Sequence, residues 1–133
     1  MRKQTVNDSR QSQALKGLHI LIVEDEAPIA LQVEDMLVES GCEVVGPASR
    51  VAQALKLIDE EPVDAAVLDL NIAGDLVYPV ADALDKRGVP YIFATGYGAS
   101  SLTEPYRRRR VLQKPFSRRE LLQAMQEALE EAQ

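Results

Sequence analysis

Four short apolar runs punctuate the chain, and each one ends in a polar signal. Leu18 to Val23 runs into Glu24-Asp25, Ala65 to Leu68 into Asp69, Tyr91 to Ala94 into Thr95, and Val111-Leu112 through Gln113 into Lys114. Runs this short and without alternation read as strands buried on both faces. Between them, apolar positions recur at helical spacing. A helix is expected from about Ala27, with Pro28 in its first turn, Ile29, Val33, Met36 and Leu37 on one face, and Ser40-Gly41 as its stop. Glu43 to Gly46 reads as a second strand. Ser49 is expected to cap a helix that turns Val51, Leu55 and Ile58 inward and stops at Pro62. Val77 to Arg87 gives a third helix, with Val80, Ala81 and Leu84 inward and Gly88 as its C-terminal signal. Ser117 and Glu120 form a capping-box pattern that opens a last helix with the stripe Leu121, Leu122, Met125 and Leu129.

Five strands alternating with helices imply right-handed crossovers and a parallel sheet covered on both faces, an α/β fold. One stretch breaks the pattern. Gly96 to Arg110 is due to contain a helix, yet Gly96, Gly98, Ser100, Ser101 and Pro105 disfavour one until Thr103, which is expected to cap a short, easily moved helix. In a parallel sheet the four polar signals emerge at one edge, the edge where open α/β folds place their ligand sites.

Composition narrows the class without naming a function. The chain has 133 residues, 46% hydrophobic and 27% charged, which suits one soluble domain. Residues 1 to 16 are polar and aperiodic and read as a flexible tail, with the domain spanning 17 to 133 and no room for a second effector domain. A lone cysteine, Cys42, forms no internal disulfide and suits a reducing compartment, as a small buried hydrophobe. No apolar stretch reaches the roughly 20 residues of a membrane span, and the start lacks the apolar middle of a signal peptide, so a cytoplasmic protein is expected. The net charge is −6, with +3 in residues 1 to 16 and −9 in the remainder. Such an acidic domain repels phosphate backbones, which argues against nucleic-acid binding. Arg107 to Arg110 is the basic exception, either a solvated run or a docking patch for an acidic partner.

Glu24, Asp25 and Asp69 brought to one edge would repel one another, and Lys114 alone does not balance three carboxylates. A hard divalent cation would, and Mg²⁺ binds through one or two carboxylates, waters and a substrate phosphate. A carboxylate nucleophile beside a metal, with a lysine and the Thr95 hydroxyl, suits acceptance of a phosphoryl group. Taken singly each residue has a bland reading: Asp69 a turn, Thr95 a helix cap, Lys114 a surface lysine, Glu24-Asp25 a solvated pair at a helix start. His19, the only histidine, falls about 16 Å from Glu24 at ~3.3 Å per residue, at the wrong end of its strand.

The set Leu21-Ile22-Val23-Glu24-Asp25-Glu26, Val67-Leu68-Asp69-Leu70-Asn71, Phe93-Ala94-Thr95-Gly96-Tyr97 and Gln113-Lys114-Pro115-Phe116 resembles the receiver domain of two-component response regulators, over about residues 17 to 132. The resemblance implies a flavodoxin-like, doubly wound sheet of order 2-1-3-4-5 with five helices, the fourth short or irregular. It implies Asp69 as phosphoacceptor, Asp25 as a metal ligand, Glu24 as a second acidic group acting directly or through water, and Asn71 as a ligand through its backbone carbonyl. Lys114 would neutralise a phosphoryl oxygen, Thr95 would move its hydroxyl onto the phosphate, and the Lys114-Pro115 bond would be cis.

Three departures stand out. The aromatic usual three positions before the lysine is Val111 here. The Met-Pro pair usual after the aspartate is missing from Ile72 to Tyr78. The run from Phe93 to Tyr97, with Tyr97 or Tyr106 near the easily moved stretch, resembles a mostly stand-alone alphaproteobacterial subgroup, and Tyr97 would substitute as the moving aromatic; the family resemblance further implies that Asn71 and Tyr97 tune acyl-phosphate hydrolysis. The function implied is a single-domain response regulator, not an enzyme, that takes phosphoryl from a histidine kinase with Mg²⁺. It would then switch the face made by the fourth helix, fifth strand and last helix toward a downstream protein target or phosphotransferase, with no membrane or nucleic-acid partner. A phosphotransfer intermediate or phosphate sink is the alternative. A small phosphatase with Asp69 as nucleophile lacks an acid two residues on, where Asn71 stands. A flavodoxin-like cofactor binder would need a phosphate-cradling loop where Glu24-Asp25-Glu26 stands.

Overall fold

The computed structural model of the protein describes residues 14–96, 102–103, 106 and 109–132. In chain order the elements are β1 (His19–Val23), α1 (Ala27–Glu39), β2 (Glu43–Ala48), α2 (Val51–Glu60), β3 (Ala65–Asp69), β4 (Asn71–Ile72), β5 (Asp75–Leu76), α3 (Tyr78–Lys86), β6 (Tyr91–Thr95), β7 (Val111–Gln113) and α4 (Arg118–Ala132). Five strands form one sheet of order β2-β1-β3-β6-β7, every pair parallel, which is the expected 2-1-3-4-5 order. β4 and β5 pair separately as an antiparallel hairpin.

The period-2 alternation of a strand explains why the apolar runs are unbroken. On β1, Leu21 and Val23 enter one core while Ile20 and Ile22 enter the other; Leu68 and Val67 on β3, and Phe93 and Ile92 on β6, divide the same way. α2 and α3 contribute Ala54, Ile58, Val80, Ala81 and Leu84 to the first core. α1 and α4 cover the second with Val33, Leu37, Leu121, Leu122 and Met125. With both faces covered, the central strands β1, β3 and β6 are buried along nearly their whole length, whereas the edge strands β2 and β7 carry exposed positions such as Glu43 and Gln113.

Helix ends follow local chemistry. Gly41 (φ 86°) and Gly88 (φ 68°) take the left-handed conformation after α1 and α3. After α3 the amides of Val89 and Gly88 bond the carbonyls of Leu84 and Asp85 at 3.0 and 3.1 Å, and after α1 the amides of Cys42 and Gly41 bond Leu37 and Val38 at 3.0 and 3.0 Å. Both ends are Schellman motifs. The capping box at α4 is reciprocal: the Glu120 amide donates to Ser117 Oγ at 3.1 Å and the Ser117 amide to Glu120 Oε1 at 3.0 Å.

Several expectations need correction. Ser49 does not cap α2: Arg50 is the N-cap, extended at φ −144°, and the Gln53 side chain instead accepts from the Ser49 amide at 3.0 Å. β2 continues past Gly46 to Ala48, because Gly46 takes φ 92° and a register shift between Leu21 and Val23 lets Val23 face Ala48. Leu15, two residues before Gly17, is fully buried, and its carbonyl accepts from the Cys42 thiol at 3.5 Å. Burial pushes that thiol up to about 11, as suits an inert cysteine. The earlier part of the expected tail lies outside the described residues.

Five helices were expected, and four α-helices lie among the described residues. Where the fourth was expected, the Tyr106 amide bonds the Thr103 carbonyl at 2.8 Å and the Arg109 amide bonds the Tyr106 carbonyl at 2.9 Å, both 3₁₀-type bonds. Gly98 and Pro105 lie outside the described residues, as does Tyr97. No helix among the described residues is long and apolar enough to cross a membrane.

Candidate functional site

Sheet register assembles the pocket. Val23 stands opposite Leu68, so Glu24 and Asp69 follow side by side; Asp69 stands opposite Ala94, one position before Thr95; Thr95 stands opposite Gln113, one position before Lys114. The Lys114 amide bonds the Thr95 carbonyl at 3.0 Å and fixes that last step. Residues 24, 69, 95 and 114 thus meet because parallel strands end together.

The side chains complete the pocket. Carboxylate oxygens of Glu24, Asp25 and Asp69 all lie within 4.8 Å of one another. Lys114 Nζ donates to Glu24 Oε1 at 2.7 Å and sits 3.4 Å from Asp69 Oδ2. Glu24 is only 5% exposed and Thr95 2%, whereas Asp25 is exposed to solvent. Glu24 Oε2 also accepts the Glu26 amide at 3.2 Å. The Lys114-Pro115 bond is cis, as the resemblance implied, and Gly46-Pro47 is cis as well.

Electrostatics agree with the geometry. Burial pushes the Asp69 carboxyl up to about 7, the hydrogen bond and charge of Glu24 add to it, and Lys114 pulls the other way without prevailing. Burial by itself lowers the Lys114 ammonium, but its bonds to Glu24 and Asp69 outweigh that and raise it, so the ammonium stays charged. Three carboxylates against one ammonium leave the pocket electron-rich. An oxygen-only donor set of this charge fits a hard divalent cation such as Mg²⁺ and does not fit a soft one.

Two features escaped sequence reading. The β4–β5 hairpin closes through a two-residue turn, Ala73-Gly74, both with positive φ (52° and 90°), and the Ala73 amide donates to Asp25 Oδ2 at 2.9 Å. The signal was Gly74 at the second central position of a type I′ turn, but Ala73 stands where Asn or Asp would announce it. Next to the pocket lies an apolar groove of about 280 Å³ lined by Ile29, Val33, Met36, Lys114, Pro115 and Phe116.

Other expectations fall elsewhere. His19 lies at the opposite edge, where its amide and ring nitrogen both meet Asp64, at 2.7 and 3.2 Å. Of the basic run, Arg109 pairs with Asp85 at 3.1 Å and Arg110 pairs with Glu127 at 2.7 Å and with Glu131. Those two arginines tie α3 and α4 to the start of β7 through ion pairs at the surface. Arg107 and Arg108 lie outside the described residues. Tyr106 is buried, stacked on Tyr78 with centroids 4.0 Å apart, and its hydroxyl donates to Asp82.

Residues 20–126 match the sequence family described as the response regulator receiver domain. The chain belongs to that family. Among curated proteins it is 31% identical over 114 residues to the transcriptional regulatory protein PdtaR of Mycobacterium tuberculosis. That match covers 83% of this chain and 56% of PdtaR, so the chain spans about half the length of that relative. Among solved structures it is similar to SdrG of Sphingomonas melonis, at 43% identity and TM-score 0.75 over 87% of this receiver and 97% of that chain. The PhyR receiver domain of Erythrobacter litoralis matches at 28% identity and TM-score 0.77, over 87% and 92% of the two chains. These likenesses agree with the subgroup to which the Phe93-Ala94-Thr95-Gly96 run points. Receiver domains are in general signalling modules without an enzyme's turnover.

Proposed function

We propose that this receiver accepts a phosphoryl group on Asp69 in an Mg²⁺-dependent reaction, from the phosphohistidine of a histidine kinase. The observation that carries the reading is the Lys114–Glu24–Asp69 cluster with Asp25 alongside, three carboxylates gathered within 4.8 Å around one ammonium. An Asp69 oxygen attacks phosphorus, the phosphorus–nitrogen bond breaks, and its electron pair returns to the imidazole, leaving an acyl phosphate. Glu24, Asp25, Asp69 and the Asn71 carbonyl would hold the cation, whose contribution is to neutralise charge on the transferring group and fix its orientation. Lys114 lies within reach of both Asp69 and Glu24 and turns to a phosphoryl oxygen when one arrives. Thr95 supplies a hydroxyl at the same edge.

Because Lys114 lines both the pocket and the apolar groove beside α1, a phosphodonor protein seated in that groove would sit next to Asp69. After transfer, the face around Tyr106, β7 and α4 changes what it binds, a downstream protein target or a phosphotransferase. A relay intermediate or phosphate sink uses the same chemistry. The test is incubation with Mg²⁺ and acetyl phosphate or beryllofluoride: a stoichiometric adduct is expected that Asp69→Asn removes. Repeated turnover of phosphoesters would support the phosphatase reading instead. Mixing with kinases carrying labelled phosphohistidine then identifies the donor.

A further inference from the structure

Ala73 has φ 52°, and it is the one non-glycine with positive φ among the described residues. An L-residue held there is strained, and strain in a native structure is informative when something over-determines it. Crowding is not what holds this turn: a Cβ added at the adjacent Gly74 would meet nothing within 4 Å. Two other things do. The hairpin register, Asn71 with Leu76 and Ile72 with Asp75, demands a two-residue turn of this hand. And the Ala73 amide donates to Asp25 Oδ2 at 2.9 Å, across 48 positions of sequence.

Asp25 is the exposed member of the acidic cluster, so without a partner its side chain would rotate freely. The hairpin itself is anchored. Ile72 is fully buried, Leu70 and Val77 are buried on either side, and the Val77 amide bonds the Leu70 carbonyl at 2.9 Å to close the neck. A rigid donor therefore reaches from the first core to the Asp25 carboxylate.

We propose that the Asn71–Leu76 hairpin is a positioning element for the cation site: the strained Ala73 amide holds the Asp25 carboxylate in a cation-binding orientation. Ala73 touches neither the cation nor the phosphoryl group and acts through Asp25. The same hairpin carries Asn71, so the turn sets the carboxylate and the strand carbonyl at a fixed separation. The inference rests on the reading of this pocket as a metal-dependent phosphoacceptor site.

The test removes the donor alone, by an amide-to-ester replacement at the Ile72–Ala73 bond in the full chain. Mn²⁺ affinity is measured by electron paramagnetic resonance. About a tenfold weakening is expected, in line with other outer-shell partners of metal ligands. Ala73→Gly, which keeps the amide and relieves the strain, is expected to bind within about twofold of the parent, and Ala73→Val, which opposes positive φ, to weaken binding like the ester. If the parent binds Mn²⁺ and the ester and Ala73→Val bind it equally well, the inference is overturned while the metal site stands. If the parent itself binds no Mn²⁺, the metal reading falls first. A metal-free readout separates the two cases further: Ala73 amide exchange is expected to speed up in Asp25→Ala, and an unchanged rate would overturn the positioning role on its own.

Discussion

The ammonium of Lys114 donates to Oε1 of Glu24 at 2.7 Å, joining two residues 90 positions apart in sequence. Glu24 is the more deeply buried partner, and Lys114 retains only 17% exposure. The pair is the electrostatic floor of the pocket, and it predicts what happens when the cation is removed.

Replacing Lys114 with Met strands the Glu24 carboxylate beside that of Asp69. Breaking a fully buried pair costs about 3–5 kcal/mol, and this solvent-adjoining one is expected to cost about 2 kcal/mol. Adding Glu24→Gln removes the stranded charge and is expected to restore most of the loss. Urea denaturation at pH 8 with EDTA, run as a double-mutant cycle, checks both expectations.

The carboxyl of Asp69 lies at about 7, against an ordinary 3.8, with burial the largest cause. A raised folded value means that the folded state binds the proton more tightly than the unfolded chain does. The group's contribution to stability is thus fully present below about pH 4 and is lost as pH rises through about 7. The metal-free protein is expected to become less stable between about pH 4 and 7. Asp69→Asn should flatten that profile, and Mg²⁺ should flatten it too by favouring the carboxylate. Thermal unfolding across pH, with carbon-detected titration of Asp69, is the measurement; a midpoint near 4 without metal would contradict it.

Tyr106 offers a test of the segment after β6. Its ring stacks on Tyr78 and meets Phe93 edge-on at 6.3 Å, while its hydroxyl donates to Asp82. Tyr106→Phe removes one hydrogen bond and is expected to cost about 1 kcal/mol, whereas Tyr106→Ala empties the stack and is expected to cost about 3 kcal/mol. Equal losses in denaturant melts would mean that the ring contributes nothing beyond the hydroxyl.

Gly46 is expected to be the least replaceable glycine among the described residues. Its φ is 92°, and an added Cβ would lie 2.7 Å from the Ala48 amide nitrogen and 3.1 Å from the Ile22 carbonyl oxygen. Both neighbours are backbone, which does not yield as a side chain does. Gly46→Ala is expected to cost more than about 2 kcal/mol, whereas Gly74→Ala, with open space around it, should show only the cost of positive φ, about 1–2 kcal/mol.

The apolar runs and helical stripes determined the element order, the parallel sheet and the edge to which Glu24, Asp25, Asp69, Thr95 and Lys114 would come, because burial on two faces writes itself into the central strands. Motif resemblance supplied the strand order and the cis bond at Lys114-Pro115. What only the tertiary structure decided lies where long-range contacts override local preference. Ala73 takes a positive φ that its residue type disfavours, because a hairpin register and a distant carboxylate hold it. Arg109 and Arg110, a plain basic run in sequence, are matched to acids on α3 and α4. Lys114 rests chiefly on Glu24 and less closely on Asp69, a balance of distances set by the packing of three strand ends and carried by no single segment of the chain.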